Sequence, residues 1–131
     1  MQDIFSVEGK HILITGASSG LGAHMASMLA GRGARVSVTA RRIDRLQSLV
    51  EAIQNNGGEA AAMAMDVVDQ DSVTAGFDKA MERFGAVDVV INNAGTAARA
   101  PAEETPAAEW HRVIDANLNG AWYVAQCAGR Q

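Results

Sequence analysis

One cysteine, two prolines and 5% aromatic residues are all that this 131-residue chain offers of three residue classes. The lone Cys127 cannot close an intrachain disulfide, so burial must hold the fold; this fits a reducing compartment and a cytoplasmic location. So little proline beside thirteen glycines and a 48% hydrophobic content excludes a disordered tail and a collagen-like fibre. A basic excess is also missing. Eleven Lys and Arg against fifteen Asp and Glu leave a net charge of −4, so no positive field is set up for nucleic acid or an anionic membrane surface. No apolar run approaches the about 18 residues needed to cross a bilayer. The opening MQDIFSVEGK lacks the basic-then-apolar order of a secretory leader. The length itself suits one domain, spanning residues 1–131, with a core that removes roughly two thirds of the unfolded chain's surface from water.

Short apolar runs and helical stripes then alternate. Ile12-Leu13-Ile14, led by Lys10 and left through Gly16, reads as a strand buried on both faces. Leu21, Met25, Met28 and Leu29 recur at helical spacing and read as a core stripe, closed by Gly31 and Gly33. Val36, Val38 and Ala40 alternate with Ser37 and Thr39, as in a strand with one face better buried. Ile43, Leu46, Val50 and Ile53 predict a second helix stopped at Asn55-Asn56-Gly57-Gly58. Residues 61–67 are a weaker strand, because alanine and methionine have little β preference. Val73, Phe77, Ala80 and Phe84 predict a third helix ending at Gly85, and residues 87–91 a β-branched strand. Thr105-Pro106 reads as an N-cap followed by proline at the first helical position. The helix after it carries Trp110, Val113, Asn117 and Ala121. Four strands alternating with four helices make successive βαβ crossovers, hence an α/β, Rossmann-like αβα sandwich around a parallel sheet with helices on both faces.

Thr15-Gly16-Ala17-Ser18-Ser19-Gly20-Leu21-Gly22 lies between the first strand and the first helix. Gly16 suits a tight turn, Gly20 a close backbone approach to a pyrophosphate, and Gly22 close packing of helix on sheet. The helix N-terminus adds N–H donors and a partial positive charge. Strand-to-helix turns also use glycine for geometry alone; the βαβ setting favours the phosphate reading. The spacing is G-x-x-x-G-x-G without the Lys-Ser/Thr of a P-loop, which argues against ATP hydrolysis. Ser18 and Ser19 are not part of a G-x-S-x-G elbow. His11, His24 and His111 show no ligand spacing to one another or to Cys127, so no metal site is expected and structural or exposed roles are.

TGASSGLG resembles the cofactor motif of the short-chain dehydrogenase/reductase family, and three later segments agree in order and spacing. Asp66-Val67 resembles the pair that contacts the adenine ring, Asn92-Asn93-Ala94-Gly95 the family's Asn-Asn-Ala-Gly motif, and Asn117 in Asn117-Leu118-Asn119-Gly120 its catalytic asparagine. Residues 5–9 before Lys10 also resemble a usual family start. The resemblance covers essentially the whole chain. It implies a nicotinamide cofactor held by Gly16, Ser18, Ser19, Gly20, Leu21, Gly22, Asp66, Val67, Asn93, Ala94 and Gly95, and a small carbonyl or alcohol substrate. Bland alternatives stand beside it: Asp66 as a strand-end cap, and Asn92 and Asn93 as turn formers.

Charge bears on the choice of dinucleotide. An acid at the end of the second strand would bond a ribose 2′-hydroxyl and repel a 2′-phosphate. Ala40 stands there, followed by Arg41 and Arg42, whose guanidiniums suit a phosphate. Two arginines at a helix start oppose its dipole, a cost that a bound phosphate would offset. NADP is the expected cofactor; Asp44 nearby and a neutral Ser19 keep NAD open.

The family's proton donor is a tyrosine with a lysine four residues on, preceded by a serine that binds the substrate oxygen. The single tyrosine here, Tyr123, is followed four residues later by Cys127, and no lysine follows Lys79. Tyr123 therefore reads as packing, and Asn117 is the one catalytic position present. The expectation is a C-terminally incomplete family member carrying the cofactor half, homo-oligomeric in its complete form. The competing classes are a non-catalytic dinucleotide-binding module or inactive fragment, and a methyltransferase-like Rossmann protein, which Arg41 at the ribose end disfavours. If the strand order is 3-2-1-4, residues 87–91 form an open apolar edge, and the isolated chain is expected to be marginal, oligomeric or insoluble. Light scattering with thermal unfolding checks this; a stable, monodisperse monomer would contradict it.

Overall fold

The computed structural model describes residues 3–131; Met1 and Gln2, which belong to the leader reading, lie outside the described residues. The first strand, β1 (His11–Ile14), is followed by α1 (Gly20–Ala30), β2 (Arg35–Ala40), α2 (Ile43–Asn55), β3 (Glu59–Ala64), α3 (Gln70–Phe84) and β4 (Val89–Ile91). A 3-10 turn (Ala102–Glu104) leads to α4 (Ala107–Ile114), a π-helical turn (Asp115–Asn119) and α5 (Gly120–Gly129). Among the described residues the strands form one parallel sheet in the order β3-β2-β1-β4. The chain steps outward from β1 to β3, then returns to the other side of β1, which places the reversal between β1 and β4.

Alternate residues of each strand feed opposite layers. Ile12, Ile14, Val36 and Val38 pack with Ala26 and Ala30 of α1 and with Leu46 and Ile53 of α2. Leu13 and Met63 pack with Val73, Phe77 and Ala80 of α3 and with Val124 of α5. The αβα sandwich expected from the alternation is therefore what the chain forms.

Several local expectations are corrected. The second strand is buried on both faces, because α3 covers its polar side as well. Ser37 and Thr39 are buried with partners: the Ser37 hydroxyl lies 2.8 Å from His11 Nε2, and Thr39 Oγ1 donates to Ile14 O at 3.3 Å. In α1 the buried stripe is Gly22, Ala26 and Ala30, not Leu21 and Met28, which are 75% and 43% exposed. Small residues win that face because the helix lies close against the strand exits. A Cβ on Gly22 would sit 2.6 Å from Gly16 O. The third strand runs Glu59–Ala64, two residues earlier than expected, because Gly57 at φ +81° turns the chain straight into it. The fourth begins at Val89, since the Asp88 carboxylate takes the His11 N–H at 2.8 Å just before the ladder starts. Thr105 caps nothing. Its hydroxyl donates to Pro101 O at 3.0 Å, and Pro106, whose carbonyl accepts from Glu109 and Trp110, is the residue before α4. The expected last stripe breaks as well: Trp110 is 61% exposed, and α4 buries none of its residues.

His11 is structural. Its Nδ1 lies 2.9 Å from Gly85 O, Phe84 meets its ring edge to face at 5.4 Å, and Nε2 faces Ser37, so β1, β2 and the end of α3 are bolted together. Tyr123 packs beside the α3/α5 core, as its lack of a lysine partner suggested. Among the described residues no helix is long and apolar enough to cross a membrane. The outer edge of β4 carries Val89 at 42% exposure.

Asp88 is held below its ordinary 3.8, first by the His11 backbone N–H and then by the Lys10 charge, whose Nζ is 4.0 Å away. A lowered folded pKa means a stabilisation present above the unfolded value and lost as pH falls through the folded one. Asp88→Asn should therefore lower the melting temperature at pH 7, with the deficit closing below pH 3.8. A deficit that stays constant from neutral to strongly acidic pH would show that charge plays no part.

Candidate functional site

The C-terminal ends of all four strands open into one trough of about 520 Å³. Open α/β sheets bind ligands outside these ends at the point where strand order reverses. The trough lies there for a local reason. Each parallel strand ends in a loop on the same side, and the β1 and β4 loops diverge to opposite helix layers.

The floor is a junction between those two loops. Gly16, at φ +64°, carries the chain out of β1 so close to the next loop that a Cβ would fall 2.7 Å from Ala94 Cα. Thr15 is fully buried, and its Oγ1 accepts the backbone N–H groups of Asn93 and Ala94 at 3.0 and 2.9 Å. Asn93 answers through Nδ2, which donates to Thr15 O and Gly16 O at 3.1 and 3.2 Å. Gly22 supports this from behind, since a Cβ there would also reach Asn93 Nδ2 at 2.7 Å.

Above the floor α1 begins at Gly20 with Ser19 in extended conformation before it. No side chain caps this end and no acid occupies its first turn. Uncapped N–H groups and the positive end of the helix dipole thus lie beside Ser18 and Ser19, which line the trough. Gly20, at φ +59°, has open space where a Cβ would be. Such an end fits an anionic pyrophosphate.

On the β2 side Arg41 and Arg42 line the trough, are exposed, and form no ion pair among the described residues. Arg42 is also the N-cap of α2, and the acid in that helix's first turn is Asp44. Beyond β3, Asp66 and Val67 complete this end. Asp66 Oδ1 accepts from Val68 N at 3.2 Å, while Oδ2 has no hydrogen bond among the described residues. The turn-capping role and a free acceptor therefore coexist in one side chain that lines the trough. Val67 packs closely on Gly120, where a Cβ would lie 2.7 Å from its Cγ2.

On the β4 side the wall is Ala94, Gly95 and Thr96, backed by Arg112, Asp115 and Ala116. Asn92 lies off the trough and donates to Ala121 O at 2.8 Å. Asn117 is also outside the lining. Its Nδ2 donates to Thr96 O and its Oδ1 accepts from Thr96 N, both at 2.8 Å. The side chain thus has both amide groups engaged in the loop. Gly20, Leu21 and Gly22 are outside the lining, Gly22 lying behind the floor against Gly16 and Asn93. The remaining motif residues, Gly16, Ser18, Ser19, Arg41, Arg42, Asp66, Val67, Asn93, Ala94 and Gly95, converge on the trough.

Thr15, Thr96, Arg112 and Asp115 went unmarked in the sequence. Thr15 opens the glycine motif and could have been singled out there. Arg112 reads as an ordinary partner of Glu109 three residues earlier, and nothing local shows which loop it faces. The Cys127 thiol is pushed up, chiefly by burial and then by Asp78. Among the described residues no three His, Cys, Asp or Glu side chains are grouped to hold a metal.

Comparison with known proteins agrees with this geometry. Residues 10–131 match the short chain dehydrogenase family. The gluconate 5-dehydrogenase of Gluconobacter oxydans is 37% identical over 128 residues, 98% of this chain and 50% of that protein. The crystal structure of a short-chain type dehydrogenase/reductase from Mycobacterium marinum has a TM-score of 0.93 at 36% identity, covering 97% of this chain and 51% of that one. An NAD+-bound xylitol dehydrogenase (TM-score 0.91, 30% identity, 95% of this chain and 48% of that one) is also similar. So is a metagenomic short-chain oxidoreductase in complex with NADP (0.88, 33%, 95% and 57%). The chain spans about half the length of the curated relatives it matches.

Thr15 carries the floor. Thr15→Val keeps the shape but leaves two backbone N–H groups without their acceptor. A buried orphan costs about 1–3 kcal/mol, so a loss of that size is expected in denaturant unfolding. A neutral result would mean that the junction does not depend on the hydroxyl.

Proposed function

The chain belongs to the short-chain dehydrogenase/reductase family, and from that premise we propose that it is the cofactor-binding half of an NADP-preferring oxidoreductase. The complete enzyme would act on a small carbonyl or alcohol substrate. Its bound nicotinamide would give or take the hydride, and the residues described here would hold and orient it.

The trough suits a dinucleotide on its own geometry. The uncapped start of α1, with Ser18 and Ser19, would take the pyrophosphate. The free Oδ2 of Asp66, with Val67, would take the adenine. The observation that carries NADP is the end of β2. Ala40 removes the carboxylate that would repel a 2′-phosphate, and Arg41 and Arg42 line the trough without an ion-pair partner among the described residues. The similar structures include both an NAD+ and an NADP complex, so this chain's own charges must decide.

Asn117 occupies the position of the family's catalytic asparagine. Its amide is committed to Thr96, so its side chain would serve by holding the loop at the trough and the π turn in register. With Cys127 four residues after Tyr123, the chain as given has no Tyr-Lys pair to donate a proton, and it should bind cofactor without turnover. The complete enzyme is proposed to be cytoplasmic and homo-oligomeric. The exposed apolar side chains of Trp110, Leu118 and Trp122 support association, and the acidic net charge gives no attraction for nucleic acid or membrane.

Titration of NADPH and NADH into the chain tests this reading. Arg41→Ala should weaken NADPH binding roughly tenfold or more, since a well-shielded charge-assisted bond contributes about 1.5–3 kcal/mol, and leave NADH nearly unchanged. Equal losses for the two cofactors would remove the NADP preference. Failure of the parent chain to bind either would remove the cofactor reading.

A further inference from the structure

The connection from β4 to α4 is long, and its stretch 94–100 makes no backbone–backbone hydrogen bond among the described residues. Backbone of this kind opens easily. Side chains from elsewhere hold it instead. Thr15 takes the N–H of Ala94, and Asn117 pairs with both backbone groups of Thr96. Arg112 alone reaches further: Nη1 donates to Thr96 Oγ1 at 2.5 Å and Nη2 to Ala97 O at 3.1 Å.

Arg112 is itself aimed. Glu109, one turn earlier on α4, accepts from Nε at 3.2 Å and from Nη2 at 2.9 Å, a two-point grip on one edge of the guanidinium. The remaining N–H groups then point at the loop. The same bond holds the Glu109 carboxyl below its ordinary value, so the brace is ionised at neutral pH. A planar fork can make all four bonds in one placement, whereas an ammonium cannot.

We propose that Arg112 is a positioning residue of the dinucleotide trough: braced by Glu109, it ties Thr96 and Ala97 to α4 and so sets the wall against which the cofactor lies. This rests on reading the trough as the cofactor site. The positive charge of Arg112 is already matched by Glu109, so its role lies in geometry and not in attraction for phosphate.

Arg99, exposed and two residues past Ala97, makes the loop readable by trypsin. In the full chain, Arg112→Ala and Arg112→Lys should both speed cleavage after Arg99 about tenfold, the weight of one charge-assisted bond when cleavage follows local opening. Cleavage after Arg32, in the turn between α1 and β2, should keep the parent rate. NADPH affinity, read by its fluorescence, should fall by a similar factor in both variants. Thr96→Val, which leaves the helix untouched, should reproduce the Arg99 effect and add little to Arg112→Ala. Unchanged cleavage after Arg99 in Arg112→Ala and Thr96→Val overturns the proposal, as does an Arg112→Lys chain that behaves like the parent. If the parent binds NADPH and Arg112→Ala binds it equally well, the positioning role fails while the cofactor reading survives. If the parent itself binds no NADPH, the cofactor reading fails first.

Discussion

The contact between the loops leaving β1 and β4 is the constraint on which the rest of this molecule depends. Two backbones pass so close that Gly16 has no room for a side chain beside Ala94. The polar groups this contact buries must find partners within it. Thr15 and Asn93 supply them reciprocally, hydroxyl to N–H and amide to carbonyl. A buried junction satisfied in this way is rigid, because loosening one member leaves the others unpaired. It fixes where α1 starts, and so where that helix's uncapped N–H groups point.

Away from this junction the trough becomes progressively less self-sufficient. The β2 side is a strand end with two exposed arginines, and the β3 side a short turn in which Asp66 partly caps itself. The β4 side has the least backbone support and depends on α4. There the π turn matters. Five residues in a regular α-helix would carry Arg112 and Asn117 well apart around the axis, yet both bond the same loop. The wider turn between them adjusts the phase, and π turns of this kind recur at functional sites. The trough is thus graded from a rigid junction to a loop held by side chains. That gradient suits a ligand that must enter and leave.

Much of the fold was legible because parallel sheets with both faces covered leave dense apolar runs, and α2 and α3 carry ordinary stripes. Leu46, Ile53, Val73, Phe77, Ala80 and Phe84 are buried as their spacing requires. Reading α1 by hydrophobicity held for Met25 and Leu29, which pack against the core, and failed for Leu21 and Met28, since contact with the strand exits selects small residues on the buried face. Reading β2 by alternation failed because Ser37 and Thr39 meet buried partners, His11 and Ile14, that lie far away in sequence. Thr105 failed as a cap because Pro101, four residues earlier, offered its carbonyl first. In each case a competing partner was decided by packing and not by neighbours along the chain.

The glycine turn, the Asn-Asn-Ala-Gly segment and the order of elements were determined by sequence alone, since each depends on residue type and short-range geometry. So was the family. Tertiary structure decided what those residues do to one another. It set the Asn117 amide against both backbone groups of Thr96, gave Arg112 a loop to hold, and made Thr15 the acceptor at the centre of the floor. Such roles require groups tens of residues apart to come within 3 Å, and only the folded sheet brings them there.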